Sequence, residues 1–270
     1  MIRLLPVLAL LLAGCASEGP VRVPDREQPT IVSLNPCTDA ILAEVAAPGQ
    51  LLAISHYSKD ARATSMESAD AARYRATGGT VEEIFALDPD VVVASSFIAP
   101  STRAALEDLG VEVVTFGAAS TIEESLEQVR ALARLAGHTT AGERLAARID
   151  EALSRANAGE QSIEAALWQP GGLVPGERAL ISDLLRRTGF ASYGEARGLG
   201  QADFLALEQV VADPPQVLLV AGSDGGQRHP VLDRLPGMQR ENFDTRLLYC
   251  GGPTIIRAAE RLAEIRRSVS

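Results

Sequence analysis

Val81-Glu82-Glu83-Ile84-Phe85-Ala86, followed by Asp88-Pro89-Asp90 and Val91-Val92-Val93, is a stretch that this chain writes twice. The second copy is Leu207-Glu208-Gln209-Val210-Val211-Ala212, followed by Pro214-Pro215-Gln216 and Val217-Leu218-Leu219. Glu208 stands 126 residues after Glu82, and the register holds without a gap. Each copy reads as a short helix, a proline turn and a buried strand, with a glutamate at the same place on the helix flank. A unit repeated so far apart implies two similar lobes, and two lobes imply a cleft between them.

Working outward, the same alternation fills the chain on either side. Ile31-Val32-Ser33-Leu34 reads as a strand, and Asn35-Pro36 as the N-cap and first position of a helix carrying Ile41, Leu42 and Val45. Leu51-Leu52-Ala53-Ile54 is a second strand. Thr80 with Glu83 forms a capping-box pattern. Helix 101–109 and strand 111–116 complete a β-α-β-α-β-α-β order, which predicts a mostly parallel sheet covered on both faces. The alternation then stops. Thr121 with Glu124 opens a helix to about Ala136, and Thr140 with Glu143 opens another, with Leu145, Ile149 and Leu153 on one stripe. This second helix, roughly 25 Å long, reads as a rigid connector, since a flexible linker would be Gly/Ser-rich. Alternation resumes with strand 163–168, helix 180–187 and the second module. Arg246 to Tyr249 reads as the last strand, and Cys250-Gly251-Gly252-Pro253 turns into a C-terminal helix striped with Ile256, Ala259, Leu262 and Ile265.

The predicted fold class is therefore α/β, with two Rossmann-like lobes of mostly parallel sheet, a single rigid backbone helix joining them and a ligand cleft between. The boundaries are 30–138 for the first lobe, 139–157 for the backbone helix and 158–270 for the second lobe.

Residues 1–14 read as an export signal. Arg3 supplies the positive start, Leu4 to Leu12 an apolar run too short to span a bilayer, and Leu12-Ala13-Gly14-Cys15 resembles a bacterial lipobox. Cys15 is then the lipidation site, and residues 15–29, with Pro20, Pro24 and Pro29, the lipidated tether. Ala16 in place of an aspartate favours the inner leaflet of an outer membrane, where the host has one. The net charge of −10 lacks the basic footprint of a nucleic-acid binder.

Motifs for turnover are missing. The sequence contains no G-x-G-x-x-G after a strand, no phosphate-binding P-loop, no G-x-S-x-G elbow and no H-E-x-x-H. Three scattered histidines, His56, His138 and His229, do not make a metal site. No resident cofactor or metal is expected. The alternative of another class is a lipid-anchored enzyme acting on a metal chelate, with His56 as its base.

An exported, lipid-anchored, two-lobed α/β chain with these segments resembles the iron–siderophore and cobalamin family of periplasmic binding proteins. The resemblance rests on Ile31 to Pro36, Thr80 to Val93, Thr121 to Ala156 and Leu207 to Val220. It implies delivery of a metal chelate to an ABC permease and its ATPase, by a monomer on the periplasmic side of a bacterial membrane. It also implies that Glu82 and Glu208 dock onto arginines of the permease. The bland reading of both is a solvated glutamate favoured by a helix N-terminus.

Ligands of open α/β sheets bind beyond the carboxyl ends of strands. The candidates are thus Asn35, Cys37, His56, Tyr57, Ser96 and Phe97 from the first lobe. The second lobe offers Trp168, Gln169, Ser223, Tyr249 and Cys250. Aromatics placed there suit a flat macrocycle. A corrinoid such as cobalamin is the first expectation, although Thr77-Gly78 replaces the aromatic that cobalamin binders carry before the first module. A ferric siderophore, met by Arg62, Arg73, Arg75, Arg197 or Arg228, is the alternative, as is haem through His56 or Tyr57. Cys37 and Cys250 would meet an oxidising compartment. Two free or buried thiols are nevertheless expected, because a disulfide would lock the lobes against ligand exchange.

Overall fold

The computed structural model describes residues 27–157, 162–200 and 202–269. The export signal, Cys15 and most of the tether lie outside the described residues. The first lobe runs β1 (Ile31–Ser33), α1 (Pro36–Val45), β2 (Leu51–Ser55), α2 (Ser68–Ala72), β3 (Arg75–Thr77), α3 (Val81–Phe85), β4 (Val91–Ser95), α4 (Pro100–Asp108), β5 (Glu112–Phe116) and α5 (Ile122–Leu135). α6 (Thr139–Ala156) follows. The second lobe holds β6 (Ile163–Trp168), β7 (Leu173–Val174), α7 (Leu180–Arg187), β8 (Phe190–Ser192), α8 (Tyr193–Ala196), β9 (Asp203–Phe204), α9 (Leu207–Ala212), β10 (Val217–Val220), β11 (Gln239–Asn242) and α10 (Thr254–Val269).

Two parallel sheets result, in the orders β3-β2-β1-β4-β5 and β11-β10-β6-β8. A small antiparallel pair, β7 with β9, sits beside the second sheet. Strand residues alternate between faces, and both faces are covered. Val32, Ala53, Val92 and Val113 pack with Ile84 of α3 and Leu106 of α4. Ile31, Val91 and Val93 point the other way, into a layer built from α1, α5, α6 and α10. Ala165, Leu167, Val217 and Leu219 of the second sheet enter that same layer. One apolar cluster therefore runs through both lobes, at about 1.5–3 kcal/mol for each fully buried aliphatic side chain.

The helix starts follow the sequence pattern. The Asn35 side chain accepts from the Cys37 N–H (2.9 Å), Thr80 from Glu83 (3.3 Å) and Thr121 from Glu124 (3.1 Å). α6 is an exception, because Thr140 caps nothing and His138 occupies the N-cap position without a side-chain capping bond. The His138 ring lies 3.0 Å from Gln50 Oε1 instead, between α6 and the start of β2.

α6 runs between the two sheets, and α5 and α10 lie against it and share its buried face. One further expectation is corrected. Arg246 to Tyr249 is not a strand: 245–247 is a single helical turn, started by Asp244, whose Oδ1 accepts from the Arg246 N–H (2.9 Å). The strand is β11, a polar edge strand alternating half-buried and exposed residues, which carries no hydrophobic signature.

Candidate functional site

The crevice is built at the two places where strand order reverses, between β1 and β4 in one sheet and between β6 and β10 in the other. The sheet places the ends of β2, β1 and β4 side by side. Asn35 and Cys37 follow β1, His56 and Tyr57 follow β2, and Ser96 and Phe97 follow β4. The three first-lobe pairs are thus neighbours. Phe97 is 88% exposed and Tyr57 55% exposed. His56 is also exposed, and its ring centroid is 4.0 Å from that of Tyr57.

Asp39 of α1 holds this edge together from below. Its carboxylate accepts from the Ser55 N–H (2.9 Å) and the Ser58 hydroxyl (2.6 Å), fixing the turn that presents His56 and Tyr57. It has no exposure to solvent, and its Oδ1 has no partner. Burial pushes its pKa up to about 7, against the opposing pull of the Ser58 hydroxyl and the Ser55 N–H and of the nearby Ser33 hydroxyl.

The second lobe is organised differently. Trp168 ends β6 but is only 2% exposed, and its indole N–H donates to the Leu205 carbonyl (2.8 Å). It packs with Val174, Tyr193, Val210 and Leu218. The structure places it beneath the site rather than at its surface. Gln169 and Tyr249 line a cavity of about 190 Å³ with Leu173, Pro175 and Leu248. Ser223 lies on an open groove of about 540 Å³ with Asn242, Asp244 and Arg261. The loop after β10 is pinned to the turn after β6 by Asp224, which accepts from the Gly171 N–H (2.5 Å) and the Gln227 N–H (2.8 Å). Those backbone donors hold the Asp224 carboxyl below the usual carboxylate range.

Cys37 and Cys250 form a disulfide with a Cα–Cα distance of 5.0 Å. The expectation of two thiols is overturned. The reason is geometric: α1 and α10 pack into one helical layer, which brings the end of β1 against the start of α10. The lobes are therefore bridged covalently beside the candidate residues Asn35 and Tyr249.

Phe204, 63% exposed, is an aromatic that the sequence reading missed. It lies on β9 beside β7, next to the turn at the end of β6. A signal was present, because Phe204 occupies in the second copy the register that Gly78 occupies in the first. The aromatic absent before one module stands before the other.

The two module glutamates are exposed, and among the described residues neither carboxylate makes a hydrogen bond or ion pair. Their neighbours do the holding. Glu83 accepts from the Gly78 N–H (2.6 Å) and the Thr77 hydroxyl (2.8 Å), and Gln209 accepts from the Ala206 N–H (2.8 Å). Of the five arginines considered for an anionic ligand, three are engaged by carboxylates: Arg62 by Asp60, Arg73 by Asp70, and Arg197 by Glu164 and Asp213.

Two parallel-sheet lobes around a crevice, tied by packed helices, define a two-lobed solute-binding protein. Residues 31–243 match the family described as "Periplasmic binding protein", and the chain belongs to that family. Its role is binding without turnover. The fold is similar to the periplasmic haem-binding protein HutB of Vibrio cholerae at 14% identity and a TM-score of 0.71, covering 89% of this chain and 99% of that one. The periplasmic vitamin B12-binding protein BtuF of Vibrio cholerae aligns at 18% identity and 0.67, covering 89% and 97%. The periplasmic haem-binding protein RhuT from Roseiflexus sp. RS-1 aligns at 19% and 0.65, covering 90% and 98%. No curated protein sequence matches the chain.

Proposed function

We propose that the protein is the substrate-binding component of an ABC importer and that it captures a flat metal-chelate macrocycle, a corrinoid such as cobalamin first. One observation carries this reading. Six large hydrophobic side chains are exposed among the described residues, and four of them, Tyr57, Phe97, Phe204 and Tyr249, stand near the carboxyl ends of the two sheets. Exposed aromatic surface is costly unless a ligand covers it, and flat apolar rings are what flat macrocycles stack on. The engaged arginines favour this over an anionic ferric siderophore. Haem is the second reading, favoured by the adjacent and exposed His56 and Tyr57, which offer an imidazole and a phenol to an iron centre. The similarity to haem- and vitamin B12-binding folds agrees with either cargo.

Glu82 and Glu208 serve as docking points for the permease, one on each lobe. The protein works as a monomer, tethered through lipid on Cys15 to the periplasmic side of the membrane, with the inner leaflet of an outer membrane favoured.

Titration with cyanocobalamin, haemin and a ferric hydroxamate siderophore, followed by calorimetry and by Trp168 emission, tests the cargo. Trp168 is buried, so quenching occurs by energy transfer to an absorbing macrocycle. We expect cyanocobalamin or haemin to bind at micromolar Kd or tighter, about −8 kcal/mol or better. Saturable binding of the siderophore alone would overturn the macrocycle reading.

A further inference from the structure

The segment 246–252 of the second lobe is tied to the first lobe at three successive points. At its start, the Ser65 hydroxyl donates to the Arg246 carbonyl (2.6 Å), and Glu67 pairs with the Arg246 guanidinium (3.4 Å) and with that of Arg257. In its middle, Cys250 is bonded to Cys37, whose Sγ lies 3.3 Å from the Tyr249 carbonyl oxygen. At its end, the Gly252 N–H donates to the Ser125 hydroxyl (2.8 Å).

The approach is close enough to exclude side chains. A Cβ on Gly251 would meet Ser125 Oγ at 2.2 Å. A Cβ on Gly252 would meet the Ile41 side chain at 2.6 Å, and its φ of 59° already favours glycine. Tyr249 lies between the first and last ties and is 45% exposed, although its neighbour Cys250 is only 6% exposed. The segment is thus held rigidly while one aromatic ring is left free to face outward.

The geometry points to the Cys37–Cys250 disulfide as a positioning element for the ligand: it fixes Tyr249, and with it the gap between the aromatic residues of the two lobes, so that ligands are selected by thickness. This rests on the macrocycle reading above for the ligand, but not for the strap itself. The ion pairs at Glu67 are half-exposed and weak alone. A covalent bridge is what holds two Cα atoms within an ångström or so of a set distance. The apolar cluster shared by both lobes keeps the molecule folded without it. Loss of the bridge therefore loosens the strap, and with it the spacing of the lobes, without unfolding the molecule or parting the lobes.

The test uses the Cys37→Ser/Cys250→Ser double variant alongside wild-type protein reduced with dithiothreitol. The dithiol supplies two electrons and two protons, leaves two cysteine thiols and departs as its own cyclic disulfide. Circular dichroism verifies that both forms stay folded. In the absence of ligand, thiol-independent labels at exposed Asp108 and Glu195 report the distance between lobes. Cyanocobalamin and cobinamide, which differ in thickness by the lower base, report selection. We expect a broader distance distribution, at least a tenfold faster dissociation of cyanocobalamin and a loss of discrimination between the two corrinoids, all restored by reoxidising the wild-type protein. An unchanged distance distribution overturns the strap. An altered distribution with unchanged dissociation and discrimination overturns its role in selection. Should neither corrinoid nor haemin bind the oxidised wild-type protein, the macrocycle reading and the selection role fall together, and the distance measurement alone decides the strap.

Discussion

Asp39 has no exposure to solvent, one carboxylate oxygen accepts two hydrogen bonds, and the other has none. Desolvation favours the neutral acid, so its folded-state value of about 7 stands above the 3.8 of an unperturbed carboxyl. Between those values the folded protein holds a proton that the unfolded chain has lost. The stabilising contribution is complete below pH 3.8 and disappears as pH rises through 7. At about 1.4 kcal/mol per pH unit, the loss amounts to about 4 kcal/mol at most. Asp39→Asn imitates the protonated acid and should abolish this slope. Urea unfolding at pH 4 and pH 8 checks it: the variant should gain on wild type at pH 8 and match it near pH 4. An identical pH dependence in the two proteins would show that Asp39 is not the buried acid responsible.

At the scale of elements, the repeated module and the strap use backbone in opposite ways. In the module, Ile84 and Val210 are fully buried and anchor their helices, while Glu82 and Glu208 are left outside. The turns that follow differ, because Asp88 adopts φ 48°, a value that its counterpart Pro214 cannot reach. The repeat is therefore conserved in packing and in the outward glutamate rather than in turn geometry. In the strap, glycine is required by close approach. Gly252→Ala should cost about 2–4 kcal/mol, from a left-handed φ and contact with Ile41 together. Thermal or urea unfolding measures this. A cost under about 1 kcal/mol would mean that the strap yields easily, which would also weaken its claim to set the cleft.

Across the whole molecule, one hydrophobic cluster spans both lobes, and the disulfide closes a separation of 213 residues. The lobes therefore move little relative to each other, and the proposed docking points Glu82 and Glu208 keep a nearly fixed spacing. Exposed ion pairs contribute only about 0.2–1 kcal/mol each. Two of them on separate lobes set register and on-rate more than affinity. Glu82→Lys with Glu208→Lys should accordingly cripple uptake in cells while the Kd for ligand stays within about twofold. Uptake of labelled ligand and titration of the purified variant measure the two effects separately. Normal transport by the double variant would refute docking through these residues.

The sequence by itself determined the α/β alternation, the two lobes, the helix caps at Asn35, Thr80 and Thr121, and the outward glutamates of the two modules. These follow from periodicity and from hydrogen bonds a few residues apart, which composition along the chain records directly. It also placed candidate residues at the strand ends, because parallel sheets leave their carboxyl ends free for ligands. The tertiary structure decided what depends on partners distant in sequence. It buried Trp168 against Leu205, and it exposed Phe204 on a strand too short to show a pattern. It made 239–242 an edge strand, polar because only one neighbour covers it, and turned 245–247 into a helical turn through Asp244. It laid α10 along α6, and that packing brought Cys250 to Cys37. No local rule reaches across 213 residues. Only the shared helical layer turns two separate cysteines into one bond at the side of the cleft.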